Sequence, residues 1–458
     1  YIQQIDPLDY WSAAEASLSA SQGASFLKAG TNHNSKGIIA IQELLEVVNN
    51  YMTIGATEDA LTLLNSAISL GEPYASYPLL YYYKAYNLLK SKNSIEFQTC
   101  LDKARSLSPL NNYPFRIEEI ALFKTLLQKR PDDALLHYHL GNLLYFLGQK
   151  ESGLEHWLHA TETDPSFAIA ARNVGFGYGC LNDLEKSIKY YDRAINANPN
   201  DPLLLTESDK IYEQANIPTD QRLKRLESHL KTVMKHDDAV MRLLTLYNAE
   251  SKYDKSIKIL NTRHFHLWEG GGQVHDIYAD SHILKGMQFL KRKQYKEAIR
   301  EFDLANQYPS NLEVAPSPNG GYEAKIYYLS GIAYEAMKQT DKAKICFEKS
   351  ADTHFRSHLT DLNYYKIKSL RKLNRNGEAD VALSDMQKTL ERILRNPTDS
   401  YAKFGEANQN VQQSNISYYS GLIHLLQNNP SAAKNDFTQA LQLYPGNIWA
   451  QLMNKDIH

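Results

Sequence analysis

Small and apolar residues return along this chain at helical spacing, and the helical stretches return at a longer interval. Leu140 and Gly141 are followed by Gly153, Trp157, Ala160 and Pro165, and Val174 and Gly175 by Tyr178, Ser187, Tyr191, Ala194 and Pro199. The step from Gly141 to Gly175 is 34 residues. The same phase recurs at Gly286, Phe289, Ala298, Phe302 and Ala305, at Gly331, Tyr334, Ala343 and Phe347, and at Gly421, Ala433, Phe437, Ala440 and Pro445. Tyr51, Ala60, Leu64 and Ala67 fit more loosely, as do Ala85, Leu101, Ala104 and Pro109. Segments 114–129, 203–231, 239–260 and 359–394 carry helical periodicity where further units are due. Each unit thus predicts two antiparallel helices. Small residues let the pair approach, an aromatic fills the gap to the next pair, and proline stops the second helix.

A unit of this length with small, aromatic, Ala and Pro positions resembles the tetratricopeptide repeat. The expected fold is all-α, a tetratricopeptide-repeat superhelical solenoid of about ten helical hairpins, its concave face built mainly from first helices. No unit buries a core of its own, so stability comes from stacking. Residues 1–130 read as irregular N-terminal helical repeats, 131–260 as the central repeats, 261–352 as repeats with inserted Gly/Pro-rich loops, and 353–458 as C-terminal repeats. The chain has 31 tyrosines, many on helix positions, and most are expected to pack between repeats. In the run Tyr81, Tyr82 and Tyr83, however, at least one ring is expected to line a surface.

Departures from the period mark candidate sites. Gly286 to Gly331 is 45 residues, with the surplus at Ser310 to Tyr322, and the preceding junction carries extra residues at Thr262 to Asp276. Both insertions join a second helix to the next first helix, so they are expected to meet on one edge. One offers Trp268, Glu269, Gly270, Gly271 and Gly272; the other offers Asn311, Glu313, Pro316, Pro318, Asn319, Gly320 and Gly321. Consecutive glycines allow close backbone approach, and an indole beside a carboxylate suits a polar ring such as a sugar. The alternative is that Trp268 plugs an irregular junction while the glycines turn the chain. His264, His266, His275 and His282 lie nearby with Asp276 and Asp280. With no HxxxH or Cys partner, structural histidines are expected rather than a metal centre.

The concave face of the two best units is the second candidate. By repeat position it is expected to expose Tyr138, His139, Asn142 and Tyr145, then Arg172, Asn173 and Phe176. Asn142 and Asn173 match the positions at which some arrays clamp a partner's terminal carboxylate. Tyr138, Leu203 and Glu207 stand where that clamp needs basic residues, so it is not expected here. Arg172 is left to pair either with a ligand or with a carboxylate inside the array.

Composition narrows the function. Lys+Arg 50 against Asp+Glu 52 leaves a formal net charge of -2, so neither nucleic acid nor an anionic membrane surface is expected as a partner. No apolar run is long enough for membrane insertion. Cys100, Cys180 and Cys346 are too scattered for a zinc knuckle, and no phosphate loop, nucleophile elbow or dinucleotide fingerprint is present. No cofactor is expected.

In order along the chain stand DPLDYW at Asp6 to Trp11, YPFRIEEI at Tyr113 to Ile120, ARNVG at Ala171 to Gly175, TESD at Thr206 to Asp209, WEGG at Trp268 to Gly271 and YPSNLE at Tyr308 to Glu313. Over about residues 1–352 this order resembles a bacterial family whose members place a mutarotase-like β-sandwich domain before a long tetratricopeptide array. The resemblance implies that this chain is the C-terminal array, in the bacterial cytoplasm or periplasm. Its implied partners are that β-sandwich domain, in the same polypeptide, or another protein, with a saccharide as a further ligand. A scaffold or binding module of a carbohydrate-related protein is the expectation. The alternative is the helical part of a glycoside-acting enzyme, with Glu269 and one of Asp276, Asp280, Glu313 or Glu323 as paired carboxylates.

Overall fold

The computed structural model describes residues 10–19, 37–91, 94–110, 112–266, 273–316, 321–354, 359–395 and 409–457. Among these the chain forms 24 α-helices and no strand. It divides into two compact units, Tyr1–Asn198 and Pro199–His458.

The first unit holds α1 (Tyr10–Ser19), α2 (Gly37–Thr53), α3 (Thr57–Ser69), α4 (Pro78–Ser91), α5 (Ser94–Arg105), α6 (Glu118–Lys129), α7 (Ala134–Phe146), α8 (Lys150–Thr163), α9 (Ala168–Cys180) and α10 (Leu184–Ala197). The second begins with α11 (Pro202–Gln214), α12 (Thr219–Ser228), a short α13 (Leu230–Val233), α14 (Asp237–Ala249), α15 (Tyr253–Thr262), α16 (Gln273–Lys291) and α17 (Tyr295–Ala305). It continues with α18 (Glu323–Ala336), α19 (Thr340–Ala351), α20 (Asp361–Lys372), α21 (Asn376–Arg395), α22 (Gln409–Leu426), α23 (Pro430–Leu443) and α24 (Ile448–Asp456).

Paired antiparallel, these helices make the expected hairpins, and one device closes most of the turns. Gly148, Asn182, Asn216, Ser251, Lys293, Lys338, Asn374 and Asn428 all have positive φ two residues past a first helix. That left-handed residue reverses the chain so the second helix can start at once. Asp133, Asp183, Asp201 and Asn429 accept backbone N–H bonds at helix starts, satisfying groups the helix itself leaves open.

Within a hairpin the crossing is set by a glycine lying under an aromatic ring. Gly141 meets Trp157, Gly175 meets Tyr191, Gly286 meets Phe302, Gly331 meets Phe347 and Gly421 meets Phe437. A Cβ on Gly175 would lie 2.8 Å from the Tyr191 ring, and one on Gly331 2.6 Å from the Phe347 ring. Ala160 and Ala194, at the neighbouring small positions, are fully buried. Tyr81, Tyr82 and Tyr83 depart from expectation: all three are buried. A first helix is covered by its own partner and by the pairs on either side, so three adjacent positions find cover. The Tyr81 hydroxyl donates to Ala75 O and that of Tyr83 to Glu119 Oε1, at 2.9 Å each.

The second unit has a feature the repeat did not foreshadow. Its C-terminal end returns to earlier helices: Tyr444, just after α23, donates its Oη to Glu213 Oε1 of α11 at 2.8 Å, and Asp456 of α24 pairs with Lys291 of α16 at 2.6 Å. Ile448, Trp449 and Leu452 pack on Tyr253, Ile257 and Leu284.

Candidate functional site

The central repeats of the first unit turn their polar residues on one another. Asn142 Oδ1 accepts from Trp157 Nε1 at 2.9 Å and from Asn173 Nδ2 at 3.0 Å, while Arg172 Nη1 donates to Asn173 Oδ1 at 3.1 Å. Tyr138, His139 and Asn173, expected on the concave face, are buried instead. His139 is fully enclosed, stacked on Phe123 and edge-on to Tyr82, and burial lowers its pKa to about 3. Asn142, Tyr145 and Arg172 are half-buried, and Phe176 remains exposed with Arg172 over its ring at 5.5 Å. Tyr138, Asn142, Asn173 and Arg172 form a brace between successive hairpins.

Of the junction residues, Trp268, Glu269, Gly270, Gly271, Gly272, Pro318, Asn319 and Gly320 lie outside the described residues. The flanks of the two insertions meet. Phe265 N donates to Asn311 O at 2.9 Å, and Asn311 Nδ2 donates to the carbonyls of Leu260 and Arg263 at 2.8 Å each. Arg263 is spent on Asp237 and Met234 O. His275 is buried, its Nε2 against Gln307 O at 3.0 Å and its ring stacked on Tyr308 at 3.9 Å. His282 is buried with Nδ1 2.7 Å from Glu301 Oε2. Glu323 Oε2 accepts from Gly321 N at 2.6 Å. Glu313 faces His264 at 2.7 Å.

Asp276 and Asp280 lead elsewhere, into a recess between α16, α18, α20 and α24. Burial raises the Asp276 carboxyl, and its hydrogen bond to Tyr322 acts against that. Asp280 is pushed up to about 7, first by burial, then by Asp361 and Asp276, with Lys325 and a hydrogen bond from Trp449 opposing. Among the described residues its Oδ1 has no partner. Lys325 is buried, ion-paired with Asp361, with Nζ 3.4 Å from the centre of the Trp449 ring. Sequence reasoning named Asp276 and Asp280 but not Lys325, Asp361 or Trp449, because the last helix supplies part of the recess.

Further along α20 lies a cavity of about 460 Å³ lined by Tyr328, Tyr364, Lys368, Arg371, Lys372, Leu425, Leu426 and Asn428. Asp361, Tyr365, Lys368 and Lys372 recur at helical spacing, so recess and cavity lie along one face of α20. Lys372 pairs with Glu335 at 2.6 Å, and Arg371 Nη1 donates to Leu426 O at 2.7 Å. Lys368 sits over the Tyr328 and Tyr364 rings at 5.1 and 5.2 Å, its Nζ 3.4 Å from the Tyr364 hydroxyl. Burial lowers its pKa, and Lys372 and Arg371 lower it further. The sequence signal was present in KSLRK at Lys368 to Lys372, but nothing in it showed which cations would lack carboxylates.

Residues 178–201 and 324–352 match the tetratricopeptide repeat family. Those two segments are tetratricopeptide repeats, set within an all-α array of tetratricopeptide-like hairpins. The array is similar to the solved structure of YrrB, a TPR protein with an unusual peptide-binding site, at 16% identity over 47% of this chain and 97% of that one, TM-score 0.32. It is similar to MamA 41-end from Desulfovibrio magneticus RS-1 at 17% identity over 42% and 93%, TM-score 0.24. The P58(IPK) TPR domain matches at 12% identity over 91% and 97%, TM-score 0.22. No matched family carries a mutarotase-like domain. Tetratricopeptide arrays serve as binding or scaffold modules for peptides and proteins. Among the described residues no helix is long and apolar enough to cross a membrane.

Proposed function

We propose that the chain is a protein-binding module that captures a carboxylate-bearing peptide segment in the cavity along α20. One observation carries the reading: Lys368 and Arg371 bring two cations to the same aromatic-walled cavity, and no ion pair is found for either among the described residues. A side chain or terminal carboxylate entering there would meet guanidinium and ammonium donors in a partly desolvated setting, where charge-assisted bonds are strongest. Tyr328 and Tyr364 supply flat apolar walls for the flanking residues. The test is fluorescence polarisation with a labelled hexaglutamate peptide and a hexalysine control, at two salt concentrations. Lys368→Glu is expected to weaken hexaglutamate binding at least tenfold with an unchanged helical spectrum. Equal binding of both peptides, or no effect of Lys368→Glu, would refute it.

A saccharide ligand is the second reading, supported by Asp280, a carboxyl at about 7 beside the Lys325–Asp361 pair and the Trp449 indole. One face of that indole already carries Lys325, which disfavours sugar stacking there. Glycan binding that is lost in Asp280→Asn and kept in Lys368→Glu would favour this second reading over the first.

A further inference from the structure

We propose that His264, His266 and Glu313 form a binding site for one divalent transition-metal ion, zinc by the chemistry of its donors. This is independent of the peptide-binding reading. A ring nitrogen of His264, one of His266 and a Glu313 carboxylate oxygen lie within 4.8 Å of one another, and Glu313 Oε1 is 3.9 Å from His266 Nδ1. Two imidazole nitrogens and one carboxylate oxygen are a donor set that suits zinc and leaves a position open. The 2.7 Å from His264 Nε2 to Glu313 Oε1 has to widen by roughly 1 Å for both atoms to reach a common ion, since zinc–ligand bonds are about 2.0–2.2 Å long.

The backbone around these side chains is pinned while the side chains stay exposed. Phe265, between the two histidines, is fully buried, and so is Leu312, next to Glu313. On an extended segment that alternation turns His264 and His266 to the same side. Asn311 ties the second insertion to the first through its side chain and carbonyl. Glu313 takes a left-handed backbone at φ 53, a conformation that costs energy for a non-glycine residue and persists only where its surroundings impose it. The nearby Arg263 cation is neutralised by Asp237 at 2.6 Å, so it does not repel a metal. Both arms are surplus to the repeat, so packing of the array does not require the three donors to converge.

The experiment is titration of the metal-stripped, tag-free chain with zinc sulfate by calorimetry, and with cobalt(II) followed by visible absorption. One ion per chain is expected, with the cobalt form showing the intense visible bands of a low-coordinate site. His264→Ala, His266→Ala and Glu313→Gln are each expected to weaken binding about tenfold or more, within the 10–100-fold range typical of disturbed metal sites, with unchanged helical spectra. Other histidines gather in the first unit, where His137 Nδ1 is 2.9 Å from His156 Nδ1 and the His137 ring is 5.2 Å from that of His159. Absence of stoichiometric zinc binding overturns the proposal. So does binding that survives the His264→Ala/His266→Ala double variant, or that is lost in His156→Ala/His159→Ala instead.

Discussion

Gly331 lets the role of the glycine–aromatic crossing be tested with a sign. A methyl group added there would sit 2.6, 2.8 and 3.0 Å from three atoms of the Phe347 ring, roughly 1 Å inside ordinary carbon–carbon contact. Phe347 is buried against Tyr328, so the ring cannot swing into water. Overpacking of this kind costs about 1–3 kcal/mol, against about 1 kcal/mol gained from alanine's better helix propensity. Gly331→Ala is therefore expected to destabilise by up to about 2 kcal/mol. Gly377, in the first turn of α21, has nothing within 4 Å of an added Cβ, and Gly377→Ala is expected to stabilise by up to about 1 kcal/mol. Both lie in the second unit, so urea unfolding followed by circular dichroism compares them in one setting. Phe347→Leu, destabilising alone, should cost less in the Gly331→Ala background, giving a favourable coupling in the double-mutant cycle. A Gly331→Ala protein as stable as the parent, or a cycle without coupling, would refute the crossing argument.

The other expectations concern ionisable groups. Burial depresses His139 to about 3 and His156 to about 4. Their contribution is therefore intact above the unfolded value near 6.5 and is lost as pH falls toward those folded values, by up to about 2 kcal/mol at pH 5 for His139; urea midpoints at pH 7 and 5 should diverge, and less so in His139→Phe. Asp280 shifts the other way: its folded pKa of about 7 makes the neutral form favourable at low pH and penalises folding progressively from about pH 4 to 7. Asp280→Asn should then raise the melting temperature more at pH 8 than at pH 4.5, and equal shifts would contradict the assignment. Lys368 is held below its usual range, so Lys368→Met should leave stability unchanged or improve it while weakening hexaglutamate binding; a clear loss of stability would make it a structural residue.

The sequence made the hairpins legible because a glycine and an aromatic sixteen residues on must appear together for two helices to close. Each such pair could be named before any coordinates. Polar residues were harder to read, because a repeat position fixes direction but not what stands opposite. Tyr138 and His139 were placed on the concave face, yet neighbouring hairpins cover both. The ordered words shared with the resembled family fall largely on internal braces. Arg116 of YPFRIEEI is tied to Glu46, Gln42 and Glu119, and Asp209 of TESD holds Arg222 and Arg242. In YPSNLE, Tyr308 stacks on His275 and Asn311 ties the two insertions. The recess at Asp280 was only half legible, since Lys325, Asp361 and Trp449 are far from it along the chain and adjacent only through folding.

The bond between Tyr444 and Glu213 joins residues 231 apart, and that between Lys291 and Asp456 joins residues 165 apart. An open stack of hairpins loses its end units first, because each touches only its neighbours and a break propagates no further than the next interface. In the second unit the two ends guard each other. Closing so long a stretch costs only slowly growing chain entropy, and once closed, unravelling of the C-terminal end back through Tyr444 must also strip Glu213 of a partner beside the Asp209–Arg222–Arg242 ion cluster. Damage at the C-terminal edge is thus expected to be felt at α11, and this half of the array is expected to unfold as a single circuit rather than as a row of separable links.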